Sequence, residues 1–162
     1  MISNSLLKAI NAQINAEMWS AYLYLSMAQY AYTKGFVGAS NWFTKQFAEE
    51  QGHAMKFINY LRSQNKRAIL DPIASVPAEW DSVLNAFKDT LKHEIKITAM
   101  INNLVDIASK DNDYAAQNML AWFIDEQIEE EKSVQVIIEK LSFMEGDKVG
   151  LYMIDKELGI RE

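Results

Sequence analysis

Apolar residues recur every three or four positions over four long stretches of this 162-residue chain, the spacing of one buried helical face. The first stretch runs from about Asn4 to Lys34, with Ser3 or Ser5 placed to cap it and Gly35 to end it. Its face carries Leu7, Ile10, Ile14, Ala21, Tyr24, Ala28 and Ala31. The second runs from a cap at Ser40 to about Asn65, with Phe43, Phe47, Ala54, Phe57 and Leu61 on one side. The third spans roughly Asp81 to Lys110, along Leu84, Phe87, Leu91, Thr98, Ile101, Val105 and Ala108. The fourth begins near Asn112 or Asp113 and ends before Gly146, along Ala116, Leu120, Phe123, Val134, Ile137 and Leu141. No segment alternates with the period of a strand, so the pattern predicts an all-α, antiparallel four-helix bundle. Residues 66–80 hold both prolines, Pro72 and Pro77, and read as a loop. Extended, a loop of that length reaches roughly 50 Å, about the length of a thirty-residue helix. It either crosses the bundle end to end or forms a slack hairpin. Residues 147–159 predict a short fifth helix with Val149, Met153, Ile154 and Leu158 on its apolar side. So short a helix needs a partner surface, on its own bundle or between subunits.

Each of the four faces is interrupted by a polar residue: Glu17, Glu50, Glu94 and Gln127. Glu17 to Glu50 is 33 residues, and so is Glu94 to Gln127. A shift of 77 maps Glu17 onto Glu94, Glu50 onto Gln127, Glu49 onto Glu126 and His53 onto Glu130, so the two halves share one plan. In a helical hairpin, residues equally distant from the turn face each other. The midpoints fall at Thr33-Lys34-Gly35 and at Lys110-Asp111-Asn112, both turns, which sets each polar pair at one height. Packing the hairpins together brings all four to one level, with His53 and Glu130 one turn on. No Lys or Arg lies on these faces. Several carboxylates buried without a partner would repel and take up protons, whereas a bound cation would hold them. Four or more oxygens with one imidazole nitrogen suit a borderline metal, and two divalent ions sharing a bridging carboxylate match the charge.

The bulk composition narrows the class further. A chain of this length, 49% hydrophobic and 23% charged, is expected to form one domain, 1–162. A net charge of −6 argues against a nucleic-acid partner and favours cations. Without cysteine there are no disulfides and no thiolate ligands. The N-terminus lacks the build of a signal peptide and no apolar run reaches membrane-spanning length, so a cytoplasmic location without membrane contact is expected.

Glu17, Glu94 and Glu50-Gln51-Gly52-His53 follow the ligand pattern known for ferritin-like di-iron carboxylate proteins, while the fourth helix departs from it with Gln127-Ile128-Glu129-Glu130. With AINAQINAEMWSAYLYLSMA, EEQGHAMKF and FIDEQIEEE, the whole chain resembles a non-haem bacterial ferritin. Bacterioferritins carry a second Glu-x-x-His and a haem-ligating methionine; here those positions are Glu130 and Gln51, so haem is not expected. Rubrerythrins need cysteines that this chain lacks, and the mini-ferritins that coat DNA place their ligands across a subunit interface. The resemblance implies that Glu17, Glu50 and His53 hold a first iron and Glu50, Glu94 and Glu130 a second, with Gln127 close by. It implies a third iron at Glu49, Glu126, Glu129 and Glu130, and Tyr24 as an electron donor beside the centre. Spacing alone puts Glu126, Glu129 and Glu130 on one helix face and turns Glu131 away to the surface. Trp122 reads as core packing near the site, and His93 as surface or as a support behind the ligands.

The activity implied is storage: Fe²⁺ is oxidised by O₂ and Fe³⁺ is deposited in a homo-oligomeric shell of 24 subunits, with the fifth helix lining channels on the four-fold axes. Two readings compete with it. A di-iron peroxidase or oxygenase would need an open pocket for an organic substrate. A helical module using its polar layer only for register would bind no metal stoichiometrically.

Overall fold

A computed structural model describes residues 2–161. Its elements are α1 Asn4–Thr33, α2 Val37–Ser63, α3 Val83–Lys110, α4 Tyr114–Phe143 and α5 Lys148–Leu158, with no strand among the described residues. Ser3, Ser82, Asp113 and Asp147 cap α1, α3, α4 and α5 through their side-chain oxygens. The residue after the cap of each of the first three helices sits at positive φ, Gly35 at 85°, Asn65 at 54° and Asn112 at 52°, and Gly146, two residues beyond the α4 cap, sits at 85°. After α1, α2 and α3 the chain makes the same closing bond, Phe36 N–H to Ala31 O, Lys66 N–H to Leu61 O and Asp113 N–H to Ala108 O, each 2.9 Å. The two hairpin turns, at Gly35 and Asn112, are themselves 77 residues apart.

Cross-helix contacts fix the topology. Ser20 meets His93 and Met27 meets Thr90, so α1 and α3 run antiparallel. Gln46 meets Glu130 while Phe57 stacks on Phe123, so α2 and α4 do likewise. Helices α2 and α3 are therefore parallel, and the segment joining them must travel the length of the bundle. It does so along α1. Ile69 N–H donates to Asn11, Asn15 donates to the carbonyls of Asp71 and Pro72, Trp19 Nε1 to Ser75 O and Ser26 to Pro77 O. Between the two readings of the loop, the end-to-end crossing holds.

The core divides into two apolar clusters, one around Tyr24, Phe43, Phe87 and Val134, the other around Ile14, Phe57, Ile101 and Phe123. The polar residues predicted to share one height lie between them. On α3 the expected Phe87, Glu94, Ile101 and Ala108 are buried, whereas Leu84, Leu91, Thr98 and Val105 are half-buried and Val83, Thr90, Ile97 and Leu104 are buried in their place. The buried stripe is wide, and periodicity found its centre but took one flank for the other.

Helix α2 starts at Val37, three residues before the predicted cap at Ser40. Its own N-cap residue, Phe36, has no capping side chain; Asp155 of α5 accepts instead from Gly38 N–H at 3.0 Å and Ala39 N–H at 2.8 Å. Gly38 makes this docking feasible, because a Cβ there would lie 1.6 Å from the Asp155 carbonyl oxygen. Helix α5 thus packs on its own bundle with Gly150, Ile154 and Leu158 inward. The expected apolar residues Val149 and Met153 instead face outward. Gly38→Ala is expected to lower stability by ~2–3 kcal/mol, the upper range for a side chain forced into a packed contact. Thermal unfolding would show it, with faster proteolysis behind α4; an unchanged melting temperature would mean α5 is not held by this contact.

Candidate metal centre

Helix periodicity carries Glu17, Glu50, Glu94, Gln127, His53 and Glu130 to the interface of the two apolar clusters, all six at most 5% exposed. Two overlapping groups have donor atoms within 4.8 Å of one another: Glu17, Glu50 and His53, and Glu49, His53, Glu126 and Glu130. His53 belongs to both. Its Nδ1 lies 3.2 Å from Glu50 Oε2, and its Nε2 lies 3.5 Å from Glu126 Oε1 without making a hydrogen bond. Glu94 stands in neither group. Its carboxylate accepts from the Tyr24 hydroxyl and from Gln127 Nε2 at 3.1 Å.

Glu129 is exposed and lines a surface groove with Asp125 and Lys132, outside the group it was expected to complete. Glu126, four residues before Glu130, shares its side of the helix, whereas Glu129 has rotated past the seam that Glu130 occupies. Trp122 is 37% exposed rather than core-packed, yet its ring centroid lies 5.5 Å from that of His53 and Lys56 Nζ covers it at 3.7 Å. His93 is half-buried behind the site, bonded to Ser20 Oγ at 2.6 Å and edge-on to Tyr24. Burial first and Lys96 second lower its pKa to about 4, so it is neutral near neutral pH.

Five residues of the network were not predicted. Gln13 donates to Glu17 Oε1 at 2.8 Å, and Gln46 donates to Glu130 Oε2 at 2.6 Å. Both are buried, both precede a site glutamate by four residues, and they are themselves 33 apart, so the spacing that exposed the glutamates also marks them. Thr98 accepts from Gln127 Nε2 at 3.3 Å and donates to Glu131 Oε1 at 2.5 Å, which makes Glu131 half-buried and bonded rather than free surface. The fifth is Arg161, whose guanidinium bonds Gln46 and Glu49 at 2.5 Å each. The faces themselves carry no cation, but the C-terminal tail supplies one at the edge.

Burial dominates the electrostatics. It raises the pKa of Glu17, against the Gln13 hydrogen bond and His53. It raises that of Glu50 further, reinforced by Glu94, Glu17 and Glu130. Glu94 is raised by burial against its bonds from Tyr24 and Gln127. Glu130 is pushed up to about 9 by burial, Glu94 and Glu49, with Gln46 and Arg161 pulling back. Tyr24, fully buried and facing Glu94, is pushed well above the ordinary phenol range and keeps its proton.

Glu17 Oε2 and His53 Nε2 are buried with no hydrogen-bond partner. Such orphaned polar atoms cost about 1–3 kcal/mol each, more when charged, unless something fills the gap. Hard carboxylate oxygens with one imidazole nitrogen, in a buried layer, fit a divalent cation of the Fe²⁺ kind. No described helix is long and apolar enough to cross a membrane.

A family model for the ferritin-like domain matches residues 7–144. The chain is 42% identical to a bacterial non-heme ferritin of Bacteroides fragilis, over 99% of this chain and 100% of that one. It is 37% identical to one of Staphylococcus aureus, over 99% and 97%. Among solved structures, an open pore ferritin of the hyperthermophilic archaeon Archaeoglobus fulgidus superposes with a TM-score of 0.98 at 44% identity, covering both chains fully.

Proposed function

We propose that this chain, which belongs to the ferritin family, oxidises Fe²⁺ with dioxygen at the buried carboxylate–histidine layer and stores the Fe³⁺ inside a hollow shell of its own copies. Iron storage is the function the family gives it; the reaction at these residues is our reading. The observation that carries it is the convergence of four buried glutamates and one histidine from four helices, with Glu17 Oε2 and His53 Nε2 left unpartnered.

Iron enters as substrate. Glu17, Glu50 and His53 Nδ1 hold one Fe²⁺; Glu50, Glu94 and Glu130 hold the other, with Gln127 fixing Glu94 by its amide. Anionic oxygen ligands favour the higher charge of Fe³⁺, and two electrons, one from each iron, pass to dioxygen. The protons that the raised-pKa glutamates carry leave as the metal enters. Tyr24, hydrogen-bonded to Glu94, is placed to supply a further electron. Glu49, Glu126 and Glu130, beside His53, form a third position through which iron leaves the pair; Glu129, in the adjoining groove, lies beyond it. No step requires haem.

A single bundle encloses no storage volume, which is why the reading includes a homo-oligomer, of 24 subunits in the cytoplasm by family likeness. In support, α5 presents Val149, Tyr152 and Met153 outward, each more than 60% exposed, and Phe143 beside them is 84% exposed. Copies of the chain meeting there would cover them.

Anaerobic Fe²⁺ followed by air should give ferric absorbance on a particle that light scattering shows to be a large shell, with uptake far beyond two or three irons per chain. A monomer or dimer that stops at two or three would refute storage and favour a small di-iron oxidase.

A further inference from the structure

Arg161 stands at the edge of the acidic layer, where a cation is most wanted. Its Nη1 donates to Gln46 Oε1 and its Nη2 to Glu49 Oε2, both at 2.5 Å, and its Cζ lies 4.7 Å from the Trp42 ring centroid. Gln46 is fully buried, and its own amide donates to Glu130 Oε2 at 2.6 Å. The guanidinium therefore touches one carboxylate of the Glu49–His53–Glu126–Glu130 group directly and a second through one amide.

The placement is built in by the fold. Gly38 lets α5 approach α2, Asp155 bonds the α2 N-terminus, and Asn41 Nδ2 bonds the carbonyls of Gly159 and Arg161 at 3.4 Å each. The tail is thus anchored on α2 two turns before Glu49. The same side chain also lines the surface groove that holds Glu129, so it stands between that groove and the buried carboxylates.

We propose that Arg161 is a resident cation that occupies the Glu49 edge of the cluster and must be displaced when a divalent ion enters the Glu49–His53–Glu126–Glu130 group, so that the C-terminal tail gates this third position. The inference rests on the reading of the cluster as a metal centre. A guanidinium and a metal ion compete for the same Glu49 oxygen, and charge-assisted bonds are the strongest hydrogen bonds available to hold it there. If the side chain only stepped aside, its positive charge would still oppose a second cation nearby. Because arginine does not lose its proton in proteins, its own deprotonation does not open the gate. The result is a third position kept weak relative to the inner pair, which passes iron on toward the groove rather than retaining it.

Arg161 is a positioning residue, and its test reads binding rather than turnover. Zn²⁺, which does not change oxidation state, is titrated calorimetrically into the full-length assembled protein and its R161Q, R161K and E49Q variants. In R161Q the weakest class of bound ion should tighten by at least about tenfold, the equivalent of one charge-assisted hydrogen bond, while the tighter classes stay unchanged. R161K keeps the charge without the two-pronged donor and should give a smaller gain. E49Q should remove the Arg161-sensitive class. A weakest class that is unchanged or weaker in R161Q, or that survives E49Q, would overturn the gate. If the parent protein binds no Zn²⁺ at all, the metal-centre reading itself falls.

Discussion

Glu50→Gln is expected to slow Fe²⁺ oxidation by at least ~100-fold, because losing even an outer-shell partner of a metal site costs up to that much. In the proposed pair, Glu50 is the carboxylate that both irons would share. Its Oε2 faces His53 Nδ1, and its charge is felt by Glu94, Glu17 and Glu130. Glutamine keeps the shape and removes the anion that would lie between two cations. The folded metal-free protein should not suffer. A neutral amide here removes the repulsion that Glu17, Glu94 and Glu130 exert on the Glu50 carboxylate, so the melting temperature should stay level or rise. The register-only reading predicts the reverse pattern: unchanged iron handling with loss of stability. Stopped-flow ferric absorbance and thermal unfolding in chelator, run on the same preparation, separate the two. An unchanged oxidation rate would place the chemistry elsewhere in the protein.

Much of this centre was legible because a helical bundle converts sequence separation into height. The 33-residue spacing set Glu17 level with Glu50 and Glu94 level with Gln127, and Gln127 Nε2 does reach Glu94 Oε2. The same spacing links Gln13 with Gln46, but a glutamine on an amphipathic face carries no signal of burial unless the partner glutamate is known. Features built by contacts distant in sequence were not legible. The α2 start was misplaced because its cap is Asp155, more than 110 residues away. Arg161 carries no periodic signal, because its place at the site is set by contacts with Gln46 and Glu49 more than 110 residues away. Glu131 was turned outward by helical spacing alone, yet Thr98 across the α3–α4 seam holds it at 2.5 Å. Glu129 departs the other way, exposed where the resemblance implies a ligand. An acidic run has no local mark of which members face a seam, and one residue of rotation left it on the surface.

Stability against pH gives the second large effect, and its sign runs against ordinary acid denaturation. Glu17, Glu50, Glu94 and Glu130 have an ordinary pKa of 4.5 in the unfolded chain and raised values in the fold, Glu130 at about 9. Between the unfolded and folded values the native state binds more protons than the unfolded state, so stability contributed by these groups falls as pH rises through that window. From about pH 7 to 9 unperturbed carboxylates are already ionised and lysines still charged, which isolates the buried cluster. The metal-free protein should therefore lose melting temperature steadily across that range. Metal removes the loss by taking the place of the protons. At ~1,000 times its dissociation constant a bound ion adds ~4 kcal/mol, roughly 10 °C for a domain of this size. The gap between metal-loaded and chelated protein should thus widen toward pH 9, and Glu50→Gln, with one fewer anion to strand, should show a shallower slope. A chelated protein whose melting temperature rises from pH 7 to 9 would mean that these glutamates enter the fold already ionised and balanced. Their convergence would then be a hydrogen-bonded register device rather than a cluster waiting for cations.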